Sequence, residues 1–185
     1  MTTRLTRGHV TLLLLLAALI ILWISARHQV SRSSIEPRPV LPRHVGPAWA
    51  YPDPVRTPGL ANPAITQENI AETICDSAWS TRMIRPSPAY TSRLKRDQII
   101  SWGLAGGASD YEEDHFISLE LGGHPTDPRN LWPEPYGPKP GAREKDVVEN
   151  YLHRQVCSGA MTLWQAQDAI VTDWYAVYRQ IASDY

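Results

Sequence analysis

The chain has 185 residues, of which 20% are charged and 43% hydrophobic, with a formal net charge of −1. Those totals suit one folded domain with a real core. They exclude a global electrostatic case for nucleic-acid binding, so any such contact has to be local. Phe is nearly absent, and 7 Trp and 8 Tyr supply the aromatic mass.

Residues 1–9 carry Arg4 and Arg7 ahead of an uncharged apolar run, VTLLLLLAALIILWISA, at 10–26. Its length falls between a signal-peptide core and a membrane span of about 20 residues. Ile24 is bulky at the position where a signal peptidase site after Ala26 needs a small residue, which favours an uncleaved anchor over a cleaved signal. Arg27 and Arg32 flank the far side, so charge bias does not set the orientation. Either way the remainder is expected outside the cytoplasm, as a single-pass membrane protein with an extracytoplasmic domain or as a secreted one.

Residues 27–65 read as a Pro-rich extracytoplasmic linker; half of the 16 prolines fall within 33–63. Proline fixes φ and removes a donor, so the stretch reads as a semi-rigid stalk, with a Pro-rich ligand for a partner protein as the alternative. The two cysteines, Cys75 and Cys157, are expected to pair after export, the alternative being two buried thiols.

Residues 66–185 form the expected globular domain, α+β in class and mostly helical. A short helix is expected over 66–74, an extended segment over 84–90 because of Pro86 and Pro88, and a helix over 92–102 stopped by Gly103. HFISLEL (115–121) reads as a strand, Gly122-Gly123 and Thr126-Asp127-Pro128 as turns, and Asn130-Leu131-Trp132 as a short returning strand. After the rigid loop PEPYGPKPG comes a helix at 143–157 with Val147, Val148, Tyr151 and Leu152 on its apolar side. Asp146, Glu149, Asn150 and His153 share the opposite face. Thr162 and Gln165 form a capping box for a last helix, whose apolar face includes Leu163, Ala166, Ile170 and Trp174.

Within YEEDHFISLELGGHPTDPRNLWPE each piece alone is ambiguous between a surface hairpin, a metal site and a catalytic centre. The order carries more: Asp-His at a strand, a glycine turn, an Asn on the return strand, then a helix with ligand-type side chains. EDHFISLELGGHPTDPRNLW resembles the core of the HNH nucleases, which share the ββα-metal fold. LWPEP, AREKDVVENYLH, VCSG and the upstream TICDSAWSTRMIRPSPAYTSRLKRDQI resemble an exported, actinobacterial-style branch, so the likeness spans about residues 73–175.

That resemblance implies a metal-dependent endonuclease. His115 would be the general base that draws a proton from the attacking water, Asp114 a ligand to one divalent cation, and Asn130 the amide that orients the imidazole. The usual helix ligand of the family, about nine residues after the central Asn, falls here on Lys139, a poor ligand. A delayed helix would offer Asp146 first, then Asn150, with Glu149 and His153 behind them. Carboxylate ligands suit Mg²⁺ or Mn²⁺, and His153 would suit zinc. No organic cofactor is implied. Asp114 and His115 are neighbours, and neighbours on a regular strand point to opposite faces, so a shared site requires an irregularity there.

Arg82, Arg85, Arg93, Lys95 and Arg96 stand against Asp97 alone between Trp79 and Ile100. They read as a phosphate-backbone contact for nucleic acid, DNA ahead of RNA, or as an ordinary solvated helix. Membrane contact would be through the N-terminal helix. The runner-up function is a non-enzymatic interaction module of the cell envelope built on the same scaffold.

Overall fold

A computed structural model describes residues 45–183. The expectations placed on residues 1–44, the apolar N-terminal helix among them, lie outside the described residues. Among the described residues no helix is long and apolar enough to cross a membrane.

Among the described residues the class is α+β, as expected, with three α-helices and one two-stranded antiparallel sheet. Helix α1 spans Pro88–Trp102, strand β1 Tyr111–His115, strand β2 Leu131–Pro135, helix α2 Ala142–Cys157 and helix α3 Leu163–Ser183. The strands pair from Tyr111 opposite Pro135 to His115 opposite Leu131. Helix α1 lies along the hairpin, and α2 packs on α3. Trp174, Leu121, Leu131, Leu152, Ile170 and Val148 are among the fully buried side chains.

Local signals explain the ends of these elements. Ser87 accepts from Tyr90 N and Pro88 occupies the first turn, so α1 begins four residues before the expected 92. Gly103, at φ 65°, closes it in the left-handed conformation. Thr162 and Gln165 exchange hydrogen bonds of 2.9 and 3.2 Å as a capping box ahead of α3. Helix α3 is kinked at Asp173, whose φ of −168° is not helical. The Asp173 carboxylate takes the amides of Ala176 and Val45 and the Tyr51 hydroxyl, which caps the second half of the helix and ties it to the chain's earlier segment.

Several expectations change. The expected strand over 115–121 is not one: β1 is YEEDH, and Leu119–Leu121 is a 3₁₀ turn. Phe116, Ile117, Leu119 and Leu121 are all buried, so the run is enclosed on every side instead of alternating between core and solvent. The helix over 66–74 shrinks to a 3₁₀ turn at Ile70–Glu72. The segment over 84–90 is not extended throughout: Ile84 ends a 3₁₀ turn, and Pro88 starts α1 after an extended Ser87. On α2 the buried side chains include Val148, Leu152 and Val156, whereas Val147 is exposed.

The linker boundary moves as well. From Val45 on, the Pro-rich stretch belongs to the globular body: Ala50, Tyr51, Thr57 and Ile65 are buried, and Trp174 Nε1 donates to Ala50 O at 2.7 Å. Proline does not prevent this, because a chain that covers a core needs neither helix nor ladder bonds. Cys75 and Cys157 form a disulfide across 82 residues, joining the 3₁₀ region to the end of α2. On the loop-entropy account it contributes about 4 kcal/mol.

Candidate functional site

The site lies where β1 ends, the chain from Phe116 to Asn130 loops back, and α2 begins. His115 Nε2 lies 2.9 Å from Pro125 O. A carbonyl oxygen only accepts, so Nε2 carries the ring proton and Nδ1 is the basic nitrogen. Burial holds the imidazole below its ordinary pKa, against the pull of the Asp114 carboxylate. The ring is therefore neutral at neutral pH.

Asn130 does not orient the imidazole directly. Its side chain is fully buried and makes four hydrogen bonds to backbone: Oδ1 accepts from Ile117 N (2.9 Å) and Leu60 N (3.2 Å), and Nδ2 donates to Ile117 O (2.9 Å) and His124 O (3.1 Å). It clamps the loop whose Pro125 carbonyl holds His115. An amide is the side chain that offers both donor and acceptor to one extended backbone unit. Gly123 permits the closure: a Cβ there would lie 1.8 Å from Ile117 O.

The adjacency problem of Asp114 and His115 is solved by the strand's end. Both line one cavity of about 190 Å³, together with Arg85, Glu120 and, from α2, Asp146 and Asn150. The ladder stops at His115, opposite Leu131, and the chain then leaves the sheet. His115, Asp114, Asp146 and Asn150 thus meet at one cavity, and of the five basic residues expected to contact phosphate Arg85 alone lines it. Arg85 also lines a neighbouring cavity of about 270 Å³ with Lys95, Glu112, Glu113 and His115. Lys95 donates to Ala108 O (2.8 Å) and Tyr111 O (2.7 Å), which fixes α1 to β1. Arg82, Arg93 and Arg96 are exposed and line neither cavity.

The sequence reading missed Lys145. Its side chain is 1% exposed, and Nζ donates to Asp114 Oδ2 at 2.6 Å, to His115 O at 3.0 Å and to Glu149 Oε1, with Glu134 Oε2 at 3.7 Å. Burial works against that ammonium, but Asp114, Glu149 and Glu134 outweigh it and hold it charged. Burial would raise the Asp114 carboxyl too, yet the ammonium keeps it at about 2. Glu134 is pushed far up by burial and by Asp114's charge, and Glu149 is pushed up to about 8, chiefly by burial. Neither Glu134 oxygen has a donor of its own, which a neutral carboxyl beside an ionised one tolerates best. The only signal in the sequence was the i, i+4 spacing of Lys145 and Glu149, which ordinarily marks a surface pair.

A divalent cation on Asp114, Asp146 and Asn150 would have to compete with the Lys145 ammonium for Asp114. The oxygens are of the right kind, but the ammonium already holds Asp114 and is sealed from solvent. Among the described residues, three metal-type side chains converge within 4.8 Å only at Cys75, His153 and Cys157. That cluster could hold an ion by distance alone, but its sulfurs are joined to each other, and a disulfide sulfur is not the thiolate a metal binds. His153 bonds Ile74 O at 2.8 Å beside the disulfide, so it is not placed for Asp114. Lys139, where the family pattern has a ligand, is exposed and pairs with Glu144 at 3.2 Å.

Comparison with protein-family models, curated proteins and solved structures finds no match to this chain.

Proposed function

We propose that this protein is a phosphodiester hydrolase of the HNH type that cleaves nucleic acid outside the cytoplasm, with His115 as general base. The observation that carries the reading is the Pro125 carbonyl at 2.9 Å from Nε2, which leaves Nδ1 as the basic atom of a neutral ring lining a cavity shared with Arg85. The hairpin followed by α2, with Asp114, His115 and Asn130 in the order the HNH resemblance implies, supports it. The disulfide supports the extracytoplasmic setting.

The chemistry follows from these groups. Water attacks phosphorus as His115 Nδ1 removes its proton; the new P–O bond forms while the bond to the leaving oxygen breaks, and that oxygen takes a proton from solvent. Arg85 is exposed and lines both cavities, and its guanidinium would pair with phosphate oxygens. Phosphate contact without a base-reading element gives weak sequence preference.

The full chain should nick supercoiled plasmid, and His115→Ala should reduce the rate by about 100-fold or more. Because burial lowers the base's pKa, activity should rise with pH through a midpoint below 6.5 and stay level through neutrality. Undiminished nicking by His115→Ala would remove the assignment. Absence of cleavage of both DNA and RNA would leave the interaction module as the better reading.

A further inference from the structure

An ammonium has three donors, and Lys145 aims them at three oxygens, two from the end of β1 and one from its own helix: Asp114 Oδ2, the His115 carbonyl and Glu149 Oε1. Glu134 of β2 stands behind them at 3.7 Å. This is the junction between the end of β1 and the first turns of α2, and the bond to His115 O fixes the backbone of the proposed base itself. We propose that Lys145 is a positioning residue that supplies the resident cation of this junction, so that hydrolysis by His115 requires no divalent ion at Asp114. The inference rests on the His115 reading given above.

A purely structural role explains the arrangement poorly. Buried ion clusters are often no more stable than well-packed apolar residues of similar volume, and this one reaches the cavity through Asp114 and Glu149, with Lys145 and Glu134 buried behind them. Its placement does two things for a phosphodiesterase: it holds His115 and it offsets the Asp114 charge that would otherwise repel phosphate. Without the ammonium, Asp114 Oδ2, the His115 carbonyl and Glu149 Oε1, the oxygens it now binds, would be left to a hard divalent cation.

The test uses the full chain, EDTA and Mn²⁺ as the probe, with Lys145→Met, Lys145→Arg and Asp114→Asn. Wild-type nicking should change less than twofold in EDTA, and titration followed by electron paramagnetic resonance should show no Mn²⁺ site that depends on Asp114. Lys145→Met should lose about 100-fold in EDTA, a loss of the size typical for a positioned catalytic group, and should gain one stoichiometric Mn²⁺. Lys145→Arg should retain more activity than Lys145→Met. Cleavage abolished by EDTA and restored by Mn²⁺, or a wild-type Mn²⁺ site lost in Asp114→Asn, overturns the proposal. If no variant cleaves, the His115 reading fails, and the Mn²⁺ titration still decides the Lys145 assignment. If Lys145→Met proves unfolded by circular dichroism, the wild-type and Asp114→Asn arms decide it alone.

Discussion

Gly123 and Asn130 together decide whether the loop that supports His115 can close. The glycine's missing side chain lets its backbone approach Ile117 O, and the Asn130 amide satisfies the polar groups on both sides of that contact. Gly123→Ala therefore cannot be absorbed by a side-chain rotation, since the clash is with backbone. It should cost about 3 kcal/mol or more, read as a lower denaturant midpoint, and should reduce nicking along with stability. An unchanged midpoint would mean that the loop is not held as described. The GG pair was legible as a turn in the sequence. Its reason was not, because the oxygen it must avoid lies six residues back across a loop whose path only the fold defines. Asn130 was expected to orient the imidazole, but its amide holds the loop and not the ring.

At the scale of the elements, β1 carries more acid than a buried hairpin tolerates easily. Glu113 has both carboxylate oxygens buried without a partner, and burial, with repulsion from Asp114, pushes its carboxyl up to about 8. A raised folded-state pKa means that the native state holds a proton the unfolded state has released. Stability is therefore fullest below the unfolded value near 4.5 and declines as pH rises towards 8. Glu113→Gln keeps the shape and removes that dependence. Thermal melts should show it more stable than wild type at pH 8 by about 1–2 kcal/mol, with the difference vanishing near pH 4. A variant no more stable at pH 8 would show that water or a cation serves Glu113. Helix α2 illustrates a related difference. Its length was readable from the loop before it and the cysteine at its end, whereas Lys145 and Glu149 looked like one more solvated pair. Their burial follows from Asp114 and Glu134, which the hairpin delivers from 31 and 11 residues earlier in the chain.

Over the whole molecule, the early Pro-rich segment and the last helix hold each other in place. Ala50 and Tyr51 pack beneath Trp174, and Asp173 binds both Tyr51 and the amide of Val45. A fragment starting at 66, where composition alone would set the boundary, should lose the cooperative melt that a fragment starting at 45 retains. Equal melting of the two fragments would restore the linker reading for residues 45–65.

The amino-acid sequence by itself determined the α+β class, the stop of α1 at Gly103, the span of α2 to within a residue, the start of α3 and the pairing of the two cysteines. Each of these depends on interactions within a few residues or, for the disulfide, on there being one partner to choose. Only the tertiary structure decided which charges meet, that Lys145 lies among Asp114, Glu134 and Glu149, and that a proline-rich stretch belongs to the core. Burial and charge pairing depend on segments far apart in the chain, and the energy of a buried ion is set by its surroundings rather than by its own side chain.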